Sequence, residues 1–371
     1  MSLHSAHKLV SNGSFLYLPD GQSINLPVKP VVIGRFRCPG KEIHMKNWLL
    51  AVLAVGLLAG SMLAQAQVEY DFQLIDHPGM PYAQVFGVND HGDAVGHGYD
   101  DITSSSNISF VYASKKGTFT DVANVAGYFH TGVLGINDSG VMVGSVKNLD
   151  EPTERGLIRS RKGTYTVFSH PDAATFTQAR AVNNQGLVTG YRDTPAGGGG
   201  MGDGLTVGFI YDPEIETFTD IDTAPSVFTI AHGINSKGDV VGNSWFYNGE
   251  APCPFAGSQD ELVSYGWLRT ADRSISYFDV NGWKETQARG INDAGWIVGF
   301  VYDPNDDKFK GFKVKLDGST CQSVTVADSD LLLFPGFDAL YPEGITNSGD
   351  IVGNVTVEQG GNSLGFIATP H

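Results

Sequence analysis

The chain has few cysteines, and none of them stands in a metal-binding pattern. Only three occur among 371 residues, with no CxxC pair and no Cys/His cluster, which excludes a cysteine-based zinc site. Cys38 lies in an N-terminal segment that we expect to be lost, so Cys253 and Cys321 remain. An oxidising, exported compartment permits a disulfide between them, but the sequence leaves open whether it forms.

Basic residues are also scarce. Residues 1–66 hold six Lys/Arg and two Asp/Glu, so the rest of the chain carries 18 basic and 38 acidic residues. Such an excess of negative charge repels nucleic-acid phosphates and anionic lipid, and we expect neither as a partner. The charge suits an exported protein and attracts divalent cations.

Long hydrophobic runs are absent except for one near the N-terminus. Residues 47–63 are apolar, follow Met45-Lys46 and precede Ala64-Gln65-Ala66, which are the three parts of a secretory signal peptide. The alternative is a retained membrane anchor, but the apolar run is short for one. We therefore predict a secreted or periplasmic protein, cleaved after Ala66 and no longer attached to the membrane.

This segment also sets the domain organisation that we predict. Residues 45–66 form a complete signal peptide, so residues 1–44 are interpreted as a non-native upstream extension or a disordered segment. Residues 67–371 are predicted to form one repeat domain, which we expect to be a monomer.

Recognisable catalytic motifs are missing as well. The chain has no nucleophile elbow, no His-Glu-x-x-His, no phosphate-binding glycine fingerprint and no Asp-box of the sialidase type. Glycine is abundant instead, with 47 residues, and the apolar residues fall in short runs rich in Val, Ile, Phe and Thr. This composition indicates many short strands joined by turns.

One ten-residue stretch recurs along most of the chain. Its best example is Gly-Ile-Asn-Asp-Ala-Gly-Trp-Ile-Val-Gly at 290–299, and the six copies lie 46 to 57 residues apart. The copies begin at Gly87, Gly135, Ala181, Gly233, Gly290 and Gly344. A period of this length is typical of propellers, solenoids and arrays.

Each repeat is predicted to contain four short strands. Asn-Asp-x-Gly joins the first two in a tight hairpin with a bulge, and a glycine inside the second strand indicates the close approach of another backbone. Four strands and six repeats predict an all-β, six-bladed β-propeller. The strand predicted at 70–75 would complete the last blade and close the ring; an open β-solenoid is the structural alternative.

The repeats resemble the HAF-repeat extracellular proteins over about residues 70–368. The Gly-Ile-Asn-x-x-Gly-x-Val-Val-Gly half of that signature is present, whereas Gly or Ser replaces its His-Ala pair, so no role of that His carries over. The resemblance implies an exported, propeller-like bacterial protein and no particular reaction.

Candidate site residues stand where the repeats differ from one another. The position before Gly-Ile-Asn is Arg180, His232, Arg289 and Glu343 in four consecutive copies. If the first strand is innermost, these side chains meet at the channel mouth. They would then hold an acidic or sugar-like ligand, or simply pair with one another. We expect the ligand on the face with the long connections.

Two further features are candidates for binding. Aromatic residues precede each copy, and Trp283, Tyr82 and Tyr341 are predicted to stack on sugars unless they act as wedges between blades. Asp303, Asn305 and Asp307 have the spacing that starts a calcium loop, without its later Gly and Glu. Calcium is therefore the one ion that the sequence suggests, and we expect no other cofactor.

These observations leave more than one function open. The leading hypothesis is an exported binding or interaction module for an extracellular glycan or protein. The alternative is a propeller hydrolase or lyase acting on a polysaccharide or lactone at the channel mouth, with Glu343 or His232 transferring a proton. A structural envelope component without a small ligand is the third.

Overall fold

The computed structural model describes residues 70–371, except 100–106, 129, 149–152, 195–205, 222, 224, 254–261, 328–329, 333, 335 and 357–362. The predicted upstream extension and signal peptide lie outside the described residues. Across the described ranges, the chain has no helix with the length and apolar character needed to cross a membrane.

The described residues form short β-strands and one 3-10 helix, Asn248–Glu250. The first strand is β1 (Tyr70–Ile75). Repeats 1 to 3 contain β2 (Tyr82–Val88), β3 (Asp93–Tyr99), β4 (Ile108–Ala113) and β5 (Thr118–Val122); β6 (His130–Ile136), β7 (Met142–Lys147), β8 (Glu154–Arg159) and β9 (Tyr165–Phe168); and β10 (Thr177–Val182), β11 (Val188–Asp193), β12 (Thr206–Asp212) and β13 (Thr217–Ile221). Repeats 4 to 6 contain β14 (Phe228–Ile234), β15 (Val240–Tyr247), β16 (Leu262–Arg269) and β17 (Ile275–Val280); β18 (Thr286–Ile291), β19 (Ile297–Asp303), β20 (Lys308–Val314) and β21 (Cys321–Val324); and β22 (Ala339–Ile345), β23 (Ile351–Thr356) and β24 (Ser363–Pro370).

Within a repeat, consecutive strands pair antiparallel, except for β20 and β21 of repeat 5. Repeats 1 and 2 form separate four-stranded sheets, and β22, β23 and β24 form a third with β1 at its edge. Repeats 3 and 4 share one sheet, because β12 and β14 meet in parallel at Thr206 and Phe228. The result is an all-β, propeller-like arrangement, as the alternating short strands predicted.

The pairing of β1 joins the two ends of the described chain. Its register runs without a break from Tyr70 opposite Pro370 to Ile75 opposite Gly365. Ile75 is buried, and it packs with residues of repeat 1 such as Val85. The strand therefore contacts both the last repeat and the first.

Repeat 5 departs from the four-stranded pattern that we predicted. Its sheet contains only β18, β19 and β20, while β21 pairs in parallel with β17, the outer strand of repeat 4. The Cys253–Cys321 disulfide, with Cα atoms 5.6 Å apart, joins β21 to the segment after β15. Repeat 5 has the predicted four strands, but the prediction of a four-stranded antiparallel blade is wrong here, because β21 adds to the neighbouring sheet.

The hairpin between the first two strands has the predicted turn chemistry. The glycine of each Asn-Asp-x-Gly turn has a positive φ, for example 81° at Gly295. The Asn292 Oδ1 atom accepts hydrogen bonds from the backbone N–H groups of Ala294 and Trp296, which fixes the turn. The Asn292 Nδ2 group donates to the Thr346 carbonyl of the next repeat, so the same residue links neighbouring repeats.

The core lies between the sheets and centres on the third strand of each repeat. One large apolar side chain from each third strand is completely buried. These are Phe110, Leu157, Phe209, Trp267, Phe312 and Phe366. In each repeat the first strand pairs with the second, and the second pairs with this buried third strand. The candidate site is built from the first strands.

Candidate functional site

A β-bulge defines the candidate site in every repeat. The first and second strands lose register around one residue, for example between Ala288 and Gly290, so that Arg289 is the extra residue. The same break isolates one residue in each first strand. These bulge residues are Phe86, Leu134, Arg180, His232, Arg289 and Glu343. A bulge redirects a side chain away from the normal alternation of a strand. Here the bulge lies at the equivalent position of the first strand in all six repeats.

The bulge residues line a common cavity of about 110 Å³. The Gly-Ile-Asn residues and the hairpin turns of all six repeats complete its wall. This position differs from our expectation, because the cavity lies at the hairpin end of the first strands and not at the strand ends where the long connections begin. The reason is that the bulge sits only three residues before each turn, close to the end of the first strand.

The structure brings the four predicted ionisable residues together. The Glu343 Oε2 atom lies 3.4 Å from Arg180 Nη2 and 3.9 Å from Arg289 Nη1. Arg289 Nη1 also lies 3.1 Å from His232 Nδ1, and Arg289 Nη2 donates to Gln287 Oε1 over 2.8 Å. The four residues therefore form one connected polar network rather than separate groups.

His232 is held in a neutral state. Burial lowers the pKa of its imidazole well below the ordinary value, and the charges of Arg289 and Arg180 lower it further, against a hydrogen bond with Asn243 that raises it. Because Nδ1 accepts from Arg289, Nε2 carries the proton and donates to Asn243 Oδ1 over 2.9 Å. Both ring nitrogens are thus engaged, which leaves no free position for proton transfer.

The network carries more positive than negative charge. Arg180 and Arg289 face the single carboxylate of Glu343, and their side chains are 14% and 16% exposed, so the guanidinium groups reach the cavity. Arg289 also stacks over Phe300, at 4.9 Å from the ring centroid. This arrangement is chemically suited to binding an anionic group with charge-assisted hydrogen bonds.

A second ring of polar residues surrounds the mouth of the cavity. From the sequence alone, these residues are predicted only to form turns. They occupy the position after the Asn of each copy, or its equivalent. They are Asp90, Asp138, Asn184, Ser236, Asp293 and Asn347. We call them the rim. Their common offset from the bulge residues was the signal that could have identified them.

The rim residues are hydrogen bonded from one repeat to the next. The backbone N–H of Asp90 donates to Asp138 Oδ1 over 2.8 Å, and that of Asp293 donates to Asn347 Oδ1 over 2.8 Å. The last repeat is linked to the first in the same way, because the N–H of Asn347 donates to Asp90 Oδ1 over 2.7 Å. The rim is therefore a fixed polar ring of oxygen acceptors and amide donors.

The three aromatic candidates do not meet at this cavity. Trp283 is half-buried and packs against the core cluster that contains Phe312. Tyr341 makes an edge-to-face contact with Phe300 at 5.0 Å, and Tyr82 lies at the start of β2, opposite Tyr99. Trp283 and Tyr341 thus act as packing residues between neighbouring sheets, which was the alternative to sugar stacking.

The side chain of a lysine lies among the carboxylates of the predicted calcium loop. The Lys310 Nζ atom lies 2.5 Å from Asp303 Oδ2 and 2.8 Å from Asp306 Oδ2. Asn305 donates to Asp303 Oδ1, and Asp307 accepts a hydrogen bond from the Tyr302 hydroxyl. These residues do not form an open set of oxygen ligands, so calcium binding by Asp303, Asn305 and Asp307 would require Lys310 to move away.

Another group with metal-ligand chemistry lies outside the cavity. Ligand atoms of His170, Asp172 and Asp220 lie within 4.8 Å of one another. However, His170 Nδ1 accepts from the backbone N–H of Asp172, and Asp220 pairs with both His170 and Arg192. Asp220 is therefore already paired with a guanidinium, and both ring nitrogens of His170 already have partners.

The sheets and their shared cavity define an all-β protein of the propeller-like class. No protein-family model matches the chain, and no curated protein is similar to it, so its resemblance to the HAF-repeat proteins stays a prediction. Solved propeller structures share its general arrangement. A gluconolactonase from Xanthomonas campestris is 7% identical, with a TM-score of 0.46 over 83% of this chain and 93% of that chain.

Two other solved structures are similar at the same level. Virginiamycin B lyase from Staphylococcus aureus, in an inactive form with quinupristin, is 11% identical, with a TM-score of 0.41 over 81% of this chain and 99% of that chain. The β-propeller domain of the Trilobed protease from Pyrococcus furiosus is 12% identical, with a TM-score of 0.42 over 78% of this chain and 83% of that chain. Similarity this low transfers no residue role, activity or ligand.

Proposed function

We propose that this chain is an exported binding module that holds an acidic extracellular glycan in the cavity formed by its six repeats. The observation that carries this proposal is the convergence of Arg180 and Arg289 on a cavity where Glu343 supplies the only carboxylate among the bulge residues. Two guanidinium groups against one carboxylate leave a positive charge among the bulge residues, while the carboxylates of Asp90, Asp138 and Asp293 lie at the rim. A carboxylate on the ligand would balance it.

The rim explains why we favour a sugar acid over a simple anion. Its Asp, Asn and Ser oxygens accept hydrogen bonds, which suits the hydroxyl groups of a sugar whose carboxylate points towards the two arginines. The cavity of about 110 Å³ is smaller than drug-sized pockets, which span roughly 300–1,000 Å³. The cavity would therefore hold the acidic end of a glycan and not several of its sugar units.

The proposal includes a closed, six-bladed ring. Three contacts support it. They are the pairing of β1 with β24, the hydrogen bond from Asn347 to Asp90, and two hydrogen bonds between Asn354 and Val85. In the last contact, Asn354 accepts from the Val85 N–H and donates to the Val85 carbonyl. Export is supported by the Cys253–Cys321 disulfide, which is a bond typical of oxidising compartments.

The enzyme alternative has less support from the geometry. A hydrolase or lyase needs a group that is free to accept or donate a proton. Both nitrogens of His232 are hydrogen bonded, and Glu343 lies between two guanidinium groups. We therefore propose binding without turnover.

The proposal is tested with oligosaccharides of galacturonic and glucuronic acid, whose binding is followed by calorimetry. Arg289→Gln and Arg180→Gln should each weaken binding by about 10- to 100-fold, because each removes a charge-assisted hydrogen bond. Arg161→Gln is the control, since Arg161 is exposed and outside the cavity.

Methyl esters of the same sugars provide the matched ligands, because they keep the hydroxyl groups and lose the charge. We expect them to bind far more weakly than the acids. Equal binding of acid and ester, or wild-type affinity in Arg289→Gln, would contradict the proposal. Release of a cleaved product by the wild-type protein would favour the enzyme alternative.

A further inference from the structure

Two histidines from neighbouring repeats face each other beneath the bulge residue Phe86. His97 lies on β3 and His130 begins β6, and their ring centroids are 6.2 Å apart in an edge-to-face arrangement. His97 also stacks on Phe86 at 4.9 Å and meets the ring of Tyr99 edge-on at 5.9 Å. The imidazoles are thus held in place by aromatic packing, and neither belongs to the wall of the glycan cavity.

Gly132 keeps side-chain atoms away from the ring nitrogens of both imidazoles. It lies two residues after His130 on the same strand, so the two residues face the same side. A Cβ at Gly132 would lie 3.3 Å from His130 Nε2 and 3.8 Å from His97 Nδ1. One ring nitrogen from each histidine therefore lies near the point where a side chain at residue 132 would begin.

Buried polar atoms around this point lack a partner. His97 Nδ1 and Asn107 Oδ1 are both buried without a hydrogen bond. Asn107 is only 1% exposed, and its Nδ2 group lies 3.2 Å from His130 Nε2. A buried nitrogen or oxygen atom without a hydrogen-bond partner lowers the stability of the folded state. Where the protein supplies no partner, a bound ion or water commonly contacts such an atom.

The electrostatic surroundings keep both imidazoles in the neutral form that binds metals. Burial lowers the pKa of His97 to about 3, with smaller contributions from His130 and Arg180. Burial also lowers the pKa of His130, although the nearby charge of Glu154 opposes this. The Arg180 guanidinium would repel a cation, but it is paired with Glu343 at 3.4 Å.

We propose that a divalent transition-metal ion of the Cu²⁺, Ni²⁺ or Zn²⁺ class binds between His97 and His130, with the Asn107 amide oxygen as a further ligand. Imidazole nitrogen is the protein ligand that these ions share, and it is poorly suited to Ca²⁺ or Mg²⁺. The site joins repeats 1 and 2 and is independent of the glycan proposal.

The test uses protein without a histidine tag that has been treated with a chelator and then titrated with CuSO₄ or ZnCl₂ by calorimetry. We expect one ion per chain, and the Cu²⁺ electron paramagnetic resonance spectrum should show coupling to two imidazole nitrogens. His97→Asn and His130→Asn should each weaken binding by about 100-fold or more, since even residues that only support ligands change affinity by about 10- to 100-fold.

Two further variants keep the test decisive. Gly132→Ala adds a methyl group beside the ring nitrogens and leaves both histidines intact, so it should also weaken binding, while circular dichroism checks that the chain is folded. His170→Asn removes the competing His170, Asp172 and Asp220 group and should leave binding unchanged. Binding that survives His97→Asn, or that is lost in His170→Asn, would overturn the proposal. Failure of both metals to bind folded protein would also overturn it, and would indicate a buried water instead.

Discussion

The glycine in the second strand and the bulge in the first strand of each repeat depend on each other. A Cβ at Gly144 would lie 1.8 Å from the carbonyl oxygen of Gly132, because the bulged strand presses against the second strand there. In every repeat, a Cβ added at the equivalent glycine would lie 1.8 to 2.1 Å from a carbonyl oxygen of the first strand. No other residue fits at this distance, so the glycine is required by the bulge that directs the site residues inwards.

We therefore expect Gly144→Ala to be strongly destabilising. The added methyl group must push two paired backbones apart, which should cost about 3 kcal/mol or more. Gly186→Ala is the control, because Gly186 has a φ of 88° and nothing within 4 Å of its Cβ position, so only backbone strain of about 1–2 kcal/mol applies. Denaturant unfolding of both variants measures the difference, and equal losses would refute this account of the glycine.

At the same scale, the sequence predicted which residues meet, and it left open whether they pair with one another or hold a ligand. Arg180, His232, Arg289 and Glu343 were identified because they vary at one position of a repeat, and residues at equivalent positions share one level of the fold. The pairing of both arginines with Glu343 depends on the bulge register, which no local pattern reveals. His97 was missed because it contacts His130 from another repeat, 33 residues away.

At the scale of elements, β21 shows how a strand can leave its own repeat. It pairs in parallel with β17, with Tyr277 opposite Cys321 and Val280 opposite Val324. The Asn281 side chain adds two hydrogen bonds to Val326, at 3.0 and 2.8 Å. Four ladder residues are few for a strand at a sheet edge, so we infer that the Cys253–Cys321 disulfide holds β21 in place.

The variant Cys321→Ser tests that inference. The disulfide spans 68 residues of sequence, and its loss should lower the free energy of unfolding by about 2–4 kcal/mol. Hydrogen exchange should become faster in β21 before it does in β17, whose other edge is paired with β16. Reduced wild-type protein should behave like the variant, and reductant should not affect the variant further. Unchanged protection of β21 in the variant would show that its backbone pairing is sufficient.

At the scale of the whole molecule, the repeats predicted the fold class, but they did not predict which strands share a sheet. Six similar hairpins specify an all-β, propeller-like arrangement, because each buries the same faces against its neighbours. The single pairing of Thr206 with Phe228 joins two repeats into one sheet, and β21 lengthens it further. Such contacts between the end of one repeat and the start of another depend on connections that vary in length, so the common motif does not predict them.

Closure of the ring by β1 is the remaining prediction at this scale. Asp71 and Thr369 are exposed and lie opposite each other in the β1–β24 pair. Asp71→Cys with Thr369→Cys should therefore form a disulfide within one chain on oxidation, and the protein should remain monomeric. Closing a loop of nearly the whole domain should raise the free energy of unfolding by several kcal/mol, about 5–6 by chain entropy alone.

The control for closure is Gln73→Cys with Thr369→Cys, which places the second cysteine on the same face but two residues out of register. It should cross-link slowly or not at all, because its Cα atoms are too far apart for an unstrained disulfide. Mass spectrometry and gels without reductant distinguish the products. A cross-linked dimer from the in-register pair would mean that β1 completes the sheet of a second copy, and closure within one chain would then be wrong.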